Sequence, residues 1–140
     1  MKNLIVIGSI LLLTISISNA QETAMFNLTI EISGFTSNKG KVLIGLYNDE
    51  ESFLKKIYKS GTSKIKDNKT IYTIEGLSKA EYAVSIVHDE NDNNKMDTNF
   101  FGIPKENYGC SNNAKGFMGP PKYKDAKFTL HKGMTIKIRI

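Results

Sequence analysis

Apolar and polar positions alternate with period two through most of the chain. Phe26, Leu28, Ile30 and Ile32 alternate with Asn27, Thr29, Glu31 and Ser33, the pattern of a strand with one buried face. After a turn at Asn38-Lys39-Gly40, the apolar run Val42 to Tyr47 predicts a second strand. Thr62 to Lys66 predicts a short edge strand, and Thr70 to Glu75 another, closed by Gly76. Tyr82 to His88 (YAVSIVH) carries the strongest strand signal, with Tyr82, Val84 and Ile86 on one face and Ala83, Ser85 and Val87 on the other. Ala126 to Leu130 and Met134 to Ile140 predict a final hairpin around His131-Lys132-Gly133. One short helix is expected, because Asn48-Asp49-Glu50-Glu51 resembles a capping box ahead of Phe53, Leu54, Ile57 and Tyr58.

Many strands and almost no helix must bury one face of each sheet against another sheet. The expected fold is therefore all-β, an immunoglobulin-like or transthyretin-like β-sandwich of about seven strands with a long ordered loop. Tyr82, at the end of Leu77-Ser78-Lys79-Ala80-Glu81, has the placement of a tyrosine corner, whose hydroxyl bonds back to nearby backbone. The alternative is an ordinary strand aromatic.

The N-terminus departs from this pattern. Lys2 precedes the apolar run Leu4 to Ile17, and Ser18-Asn19-Ala20 offers small residues before Gln21. That is the layout of a secretory signal peptide, too short to span a bilayer. Residues 1–20 are read as the signal and 21–140 as one β-sandwich domain. The expected location is exported, periplasmic or extracellular, with no membrane span after cleavage. The length of 140 residues fits one domain. A single cysteine excludes an intrachain disulfide. The formal net charge of +5 is spread over scattered lysines without a basic, aromatic-lined groove, so nucleic acid is not an expected partner.

Candidate chemistry begins where the strongest strand ends. In Asp89-Glu90-Asn91-Asp92-Asn93-Asn94-Lys95-Met96-Asp97, side-chain oxygens fall at loop positions one, three, five and nine: Asp89, Asn91, Asn93 and Asp97. Lys95, at position seven, would offer its backbone carbonyl. This is the ligand spacing of the first nine positions of a calcium loop. Asn94 stands where the sharp turn needs positive φ, which asparagine tolerates. Position twelve is Phe100, so no EF-hand is expected; Glu106 is the candidate to complete the shell. Two certain charges predict micromolar to millimolar calcium affinity. The rival reading is a hydrophilic turn without an ion.

Thr98 to Lys124 is long for a loop in a small domain. Its glycines, prolines and rings predict either packing onto the sandwich or an interaction surface using Glu106, Tyr108, Phe117 and Tyr123. A cell-envelope protein or a glycan would be the partner.

No catalytic constellation emerges. His88 and His131 are the only histidines and Cys110 the only thiol, and a nucleophile needs its base within hydrogen-bond reach. The leading expectation is a non-catalytic exported module. The alternatives are a small-molecule or carbohydrate-binding protein using Tyr108, Phe117 and Tyr123, and a metal-dependent hydrolase using His88 and Glu106.

The pieces His88-Asp89-Glu90-Asn91, Asn93, Lys95 and Asp97, then Gly102-Ile103-Pro104-Lys105-Glu106, Tyr108-Gly109, Ser111-Asn112 and Pro120-Pro121, together resemble domain-of-unknown-function family 2141. These are small exported bacterial proteins. The resemblance spans about residues 25–140. It implies one exported β-rich domain and no established activity.

Overall fold

The computed structural model describes residues 24–140; the expected signal segment, residues 1–20, lies outside the described residues. The alternating segments form β1 (Met25–Ser33), β2 (Lys41–Tyr47), β3 (Lys59–Ser63), β4 (Lys69–Ser78) and β5 (Ala80–Asp89). Then come β6 (Tyr108–Cys110), a 3-10 turn (Ser111–Asn113), α1 (Tyr123–Ala126), β7 (Phe128–Leu130) and β8 (Met134–Arg139). Among the described residues eight strands thus stand where about seven were expected. The addition is β6, whose three residues carry no periodic signal.

Two sheets result. One has the order β4-β1-β8, with β1 and β8 parallel. The other has the order β3-β2-β5-β6, and β7 also pairs with β5. Register aligns the apolar faces. Leu28, Ile30 and Ile32 lie beside Met134, Ile136 and Ile138 in one sheet. Val42, Ile44 and Leu46 lie beside His88, Ile86 and Val84 in the other. The two rows face each other across one core. A one-residue slip would turn either row to water.

The chain crosses between sheets at a tight corner from β4 into β5. There Tyr82, 1% exposed, donates its hydroxyl to the carbonyl of Ser78 at 3.1 Å. The bond expected of a tyrosine corner is therefore present.

Two sequence expectations are corrected. β7 and β8 do not form a hairpin: β7 pairs with β5 and β8 with β1. The connector at His131–Gly133 switches sheets, so that Leu130 and Ile138 both reach the core. Nor is there a helix after Asn48. Asp49 does cap a turn, accepting from the Ser52 backbone N–H at 2.8 Å and the Ser52 hydroxyl at 2.7 Å. However, Leu54 takes φ 59 and stops the winding. Only Phe53 of the four apolar residues there is buried. It packs edge-on against Tyr47 and Tyr123, forming a second small core on the outer face of β2 and β5.

The edge of β5 is shared. β6 covers Ser85 to Val87 and β7 covers Ala80 to Tyr82. Between them the fully buried Ser111 takes over: its Oγ accepts from the Val84 N–H at 2.9 Å and donates to the Ala126 carbonyl at 2.5 Å. Ser111→Ala would orphan both backbone groups. We expect a loss of about 2 kcal/mol in stability, read by denaturant unfolding.

Candidate functional site

The end of β5 delivers Asp89 into the acidic loop. Antiparallel pairing sets Asp89 opposite Lys41, and Gly40 lets the neighbouring chain pass against the Asp89 carbonyl. Gly40 adopts φ +65, and a β-carbon there would overlap that carbonyl oxygen. Asp89 is fully buried. Its carboxylate is satisfied by its own loop: Oδ1 accepts from the Asn93 N–H at 3.0 Å and Oδ2 from the Asn94 N–H at 2.8 Å. Positive φ at Asp92 (61) and Asn94 (65) produces the winding that aims these donors inward.

The other sequence-predicted residues come together around this knot. Asn91 Oδ1 accepts from the Asn93 N–H at 3.2 Å, and Asn93 Oδ1 from the Lys95 N–H at 3.1 Å. The two amide nitrogens converge on Asp97, Asn91 Nδ2 on Oδ2 at 2.6 Å and Asn93 Nδ2 on Oδ1 at 2.9 Å. The Asn93 and Asn91 amides together hold the Asp97 carboxyl below the usual carboxylate range. Lys95 contributes its backbone, with an exposed side chain. Lys41 Nζ lies 2.9 Å from Asp92 Oδ1 and 3.8 Å from Asp89 Oδ2.

Glu106 has a different place from the one expected. Instead of presenting a free carboxylate to the loop interior, it accepts from the Asp97 N–H at 2.9 Å and the Glu90 N–H at 3.2 Å. It latches the two ends of the loop. Nothing in the spacing announced this, because the latch comes from a segment that returns beside β5.

Among the described residues no three His, Cys, Asp or Glu side chains gather as metal ligands. What gathers here is two carboxylates and two amides. The chemistry suits a hard cation such as calcium, which takes neutral oxygens readily, and not a transition metal. The fit has one condition. Asn91 and Asn93 turn their nitrogens toward Asp97, and a cation would have to meet their oxygens instead.

The aromatic rings divide between the two alternatives. Tyr123 is 7% exposed and packs on Phe53, so it belongs to the second core and not to a surface. Phe117 stands 93% exposed in solvent. Tyr108 lines a cavity of about 250 Å³ with Lys115 and Arg139. These three rings form no common platform. An open groove of about 600 Å³ lies elsewhere, over Leu43, Gly45, Ser85 and Val87, with Asn94 and Met96 of the acidic loop at its rim.

His88 is fully buried, edge-on to Phe35, with Nε2 2.9 Å from the Lys39 carbonyl. Its Nδ1 has no hydrogen-bond partner among the described residues and sits 3.5 Å from Glu90 Oε1. Cys110 pairs with Ser85, while His88 shares the face of Val84 and Ile86. Thiol and imidazole therefore lie on opposite faces of one sheet. The hydrolase pair fares no better as open chemistry, since both Glu106 oxygens accept backbone N–H groups and His88 is enclosed.

Burial pushes the Cys110 thiol from 9.0 up to about 11. Alkylation of the native protein at pH 8 should be at least tenfold slower than of the unfolded chain. The unfolded chain ionises first as pH rises, so the contribution to stability is complete below pH 9 and is lost toward pH 11. Cys110→Ala should flatten that alkaline fall in thermal melts.

The family model described as "Uncharacterized protein conserved in bacteria" matches residues 30–138. The chain belongs to this family, domain of unknown function 2141. The match runs from the core of β1 to the core of β8 and includes the whole acidic loop. No curated protein and no solved structure matches the chain.

Proposed function

We propose that this family-2141 chain is an exported, non-catalytic β-sandwich module whose 89–97 loop binds one calcium ion. The observation that carries the reading is the closure of that loop around buried Asp89. Two inward N–H groups fix its carboxylate, and Asp97 returns with two amides at its oxygens. Such a loop is already wound, so an ion need not bear the cost of ordering it. Its surroundings favour positive charge: Asp89, Glu90, Asp92, Asp97 and Glu106 lie in or against it, and among the described residues Lys41 is the lysine that forms ion pairs there. Residues 1–20 supply export, and the partners lie in the cell envelope. The immunoglobulin-like or transthyretin-like variety of sandwich is supported by the parallel β1–β8 pairing and the Tyr82 corner.

The test is a thermal melt of the whole chain in calcium and in chelator. Calcium at about a hundred times its Kd adds about 2.7 kcal/mol, roughly 10 °C in a domain of this size. Asp97→Asn should abolish the increment, and Lys95→Ala should keep it, because only its backbone is engaged. Identical melts in calcium and chelator would overturn the reading.

The small-molecule alternative rests on the groove over Gly45 and Val87. Its wall includes Asn94 and Met96, so occupancy there would change the loop.

A further inference from the structure

We infer that the Thr98–Lys124 segment docks the protein on an anionic membrane surface, with the turn Asn99–Ile103 entering the headgroup boundary. The turn carries Phe100 at 97% exposed, Phe101 at 82% and Ile103 at 60%. The two phenylalanine rings are edge-on at 5.5 Å and form one wedge. Farther along, Phe117 and Met118 are 93% and 94% exposed. Exposed apolar residues scattered singly are ordinary, but fully exposed clusters at two tips are not.

The backbone of the first tip is prepared for an apolar phase. The Phe101 and Ile103 N–H groups both donate to Asn99 Oδ1, at 2.9 and 3.0 Å. The Gly102 N–H donates to the Asn99 carbonyl and the Asn99 N–H to the Ile103 carbonyl. Pro104 has no N–H to satisfy. Burial of this turn in lipid therefore exposes few unpaired donors, the condition that normally keeps irregular backbone out of hydrocarbon.

Charge selects the occupant. From Thr98 to Lys124 there are four lysines (105, 115, 122 and 124) and one carboxylate, Glu106. That carboxylate is engaged by the Asp97 and Glu90 N–H groups. Lys105 follows the first tip and Lys115 precedes the second, and the chain's net charge is +5 with the carboxylates of the 89–97 loop counted, a balance complementary to anionic lipid. The tips are convex, and a rigid protein partner would need matching pockets, whereas a bilayer deforms around them. Both tips belong to the same end of the sandwich. The first leaves the end of β5. The second is joined through Lys115 to a cavity wall with Tyr108, which pairs with Val87, and Arg139, which pairs with Ser33.

The chain contains no tryptophan, so Phe101→Trp places a single reporter at the tip. Emission from the introduced indole, in the whole chain, is read with vesicles of phosphatidylcholine alone and with added phosphatidylglycerol. Co-sedimentation is not the readout, because the apolar run Leu4 to Ile17 can itself bind lipid. The expected result is a blue shift, with quenching by lipids brominated along their acyl chains, in the anionic vesicles. Lys105→Glu with Lys115→Glu should weaken that titration about tenfold or more. Phe117→Trp gives the same reading for the second tip. Emission unchanged by anionic vesicles overturns the inference, as does an equal shift in neutral vesicles unaffected by the lysine changes. A shift that grows with protein concentration without lipid also overturns it and assigns the tips to self-association. None of these outcomes depends on the calcium melt.

Discussion

Alanine at Gly40 is expected to lower stability by about 4 kcal/mol and to erase the response to calcium. The backbone cost comes first: a residue other than glycine at φ +65 gives up about 1–2 kcal/mol. The steric cost is added to it. The new β-carbon would overlap the Asp89 carbonyl oxygen and stand 2.8 Å from the Glu90 Cα. Both neighbours are backbone, so no side chain can rotate away. The strands must separate, at about 1–3 kcal/mol for an overfilled site. The first residue to move is Asp89, and its two loop N–H bonds move with it. Gly76 provides the comparison. It has the same φ of +65, but a β-carbon there meets nothing within 4 Å. Gly76→Ala should therefore cost only the backbone share and leave the calcium response intact. In melts the expected drops are ~15 °C for Gly40→Ala and ~5 °C for Gly76→Ala. Equal drops would show that contact with Asp89 contributes nothing.

The strands that pattern alone revealed are those with one wet and one dry face. Phe26 to Ile32 and Tyr82 to His88 alternate because each lies between solvent or a second layer and the main core. Partner choice was not legible in the same way. Three residues between β7 and β8 suit a hairpin locally. The pairing is decided elsewhere, by the open edge of β1 that β8 fills. β6 exists because Tyr108 to Cys110 return along the exposed edge of β5, a tertiary circumstance that leaves no local signature. Ser111 is the sharpest case. In sequence it is one hydroxyl among asparagines, yet in the fold it substitutes for a ladder bond between two strands.

At the acidic loop, spacing identified which residues converge and erred on how some of them serve. Oxygen-bearing side chains at alternate positions are visible in any sequence. The direction in which an amide turns is not, because it depends on what the opposing carboxylate requires. The latch by Glu106 was equally hidden, since it bonds to backbone and backbone is the same for every residue. Tyr123 was misplaced for a related reason. Its ring fills a space created by Phe53 and Tyr47, and only a second core on the outer sheet face explains why it is buried.

Those two amides set up the most informative substitution. Asn91→Asp combined with Asn93→Asp should reverse the order of stability between ion-free and calcium-loaded protein. Without an ion, each change replaces a donor to Asp97 by a like charge, removing the bonds at 2.6 and 2.9 Å. Four carboxylates then stand at the ligand positions 89, 91, 93 and 97, and the melt in chelator should fall by roughly 5 °C. Calcium has the opposite preference, because its affinity rises with the number of charged ligands. A gain of about tenfold per added carboxylate, about 1.4 kcal/mol each, makes the double variant bind ~100-fold tighter. Titration calorimetry reads the affinity, and paired melts in chelator and calcium read the crossing of the two stability orders. Proton linkage gives a second check. Replacing the amides removes the bonds that hold Asp97 below the ordinary carboxylate range. The stability they contribute is present above the ordinary value of 3.8 and lost as pH falls below it. The double variant in chelator should therefore lose less stability than the parent as pH falls below 3.8, because nothing then holds Asp97 below its unfolded value, and calcium should bring the acid loss back. If the variant is weaker in chelator and no tighter for calcium, the loop is a hydrogen-bonded turn whose amides already complete it.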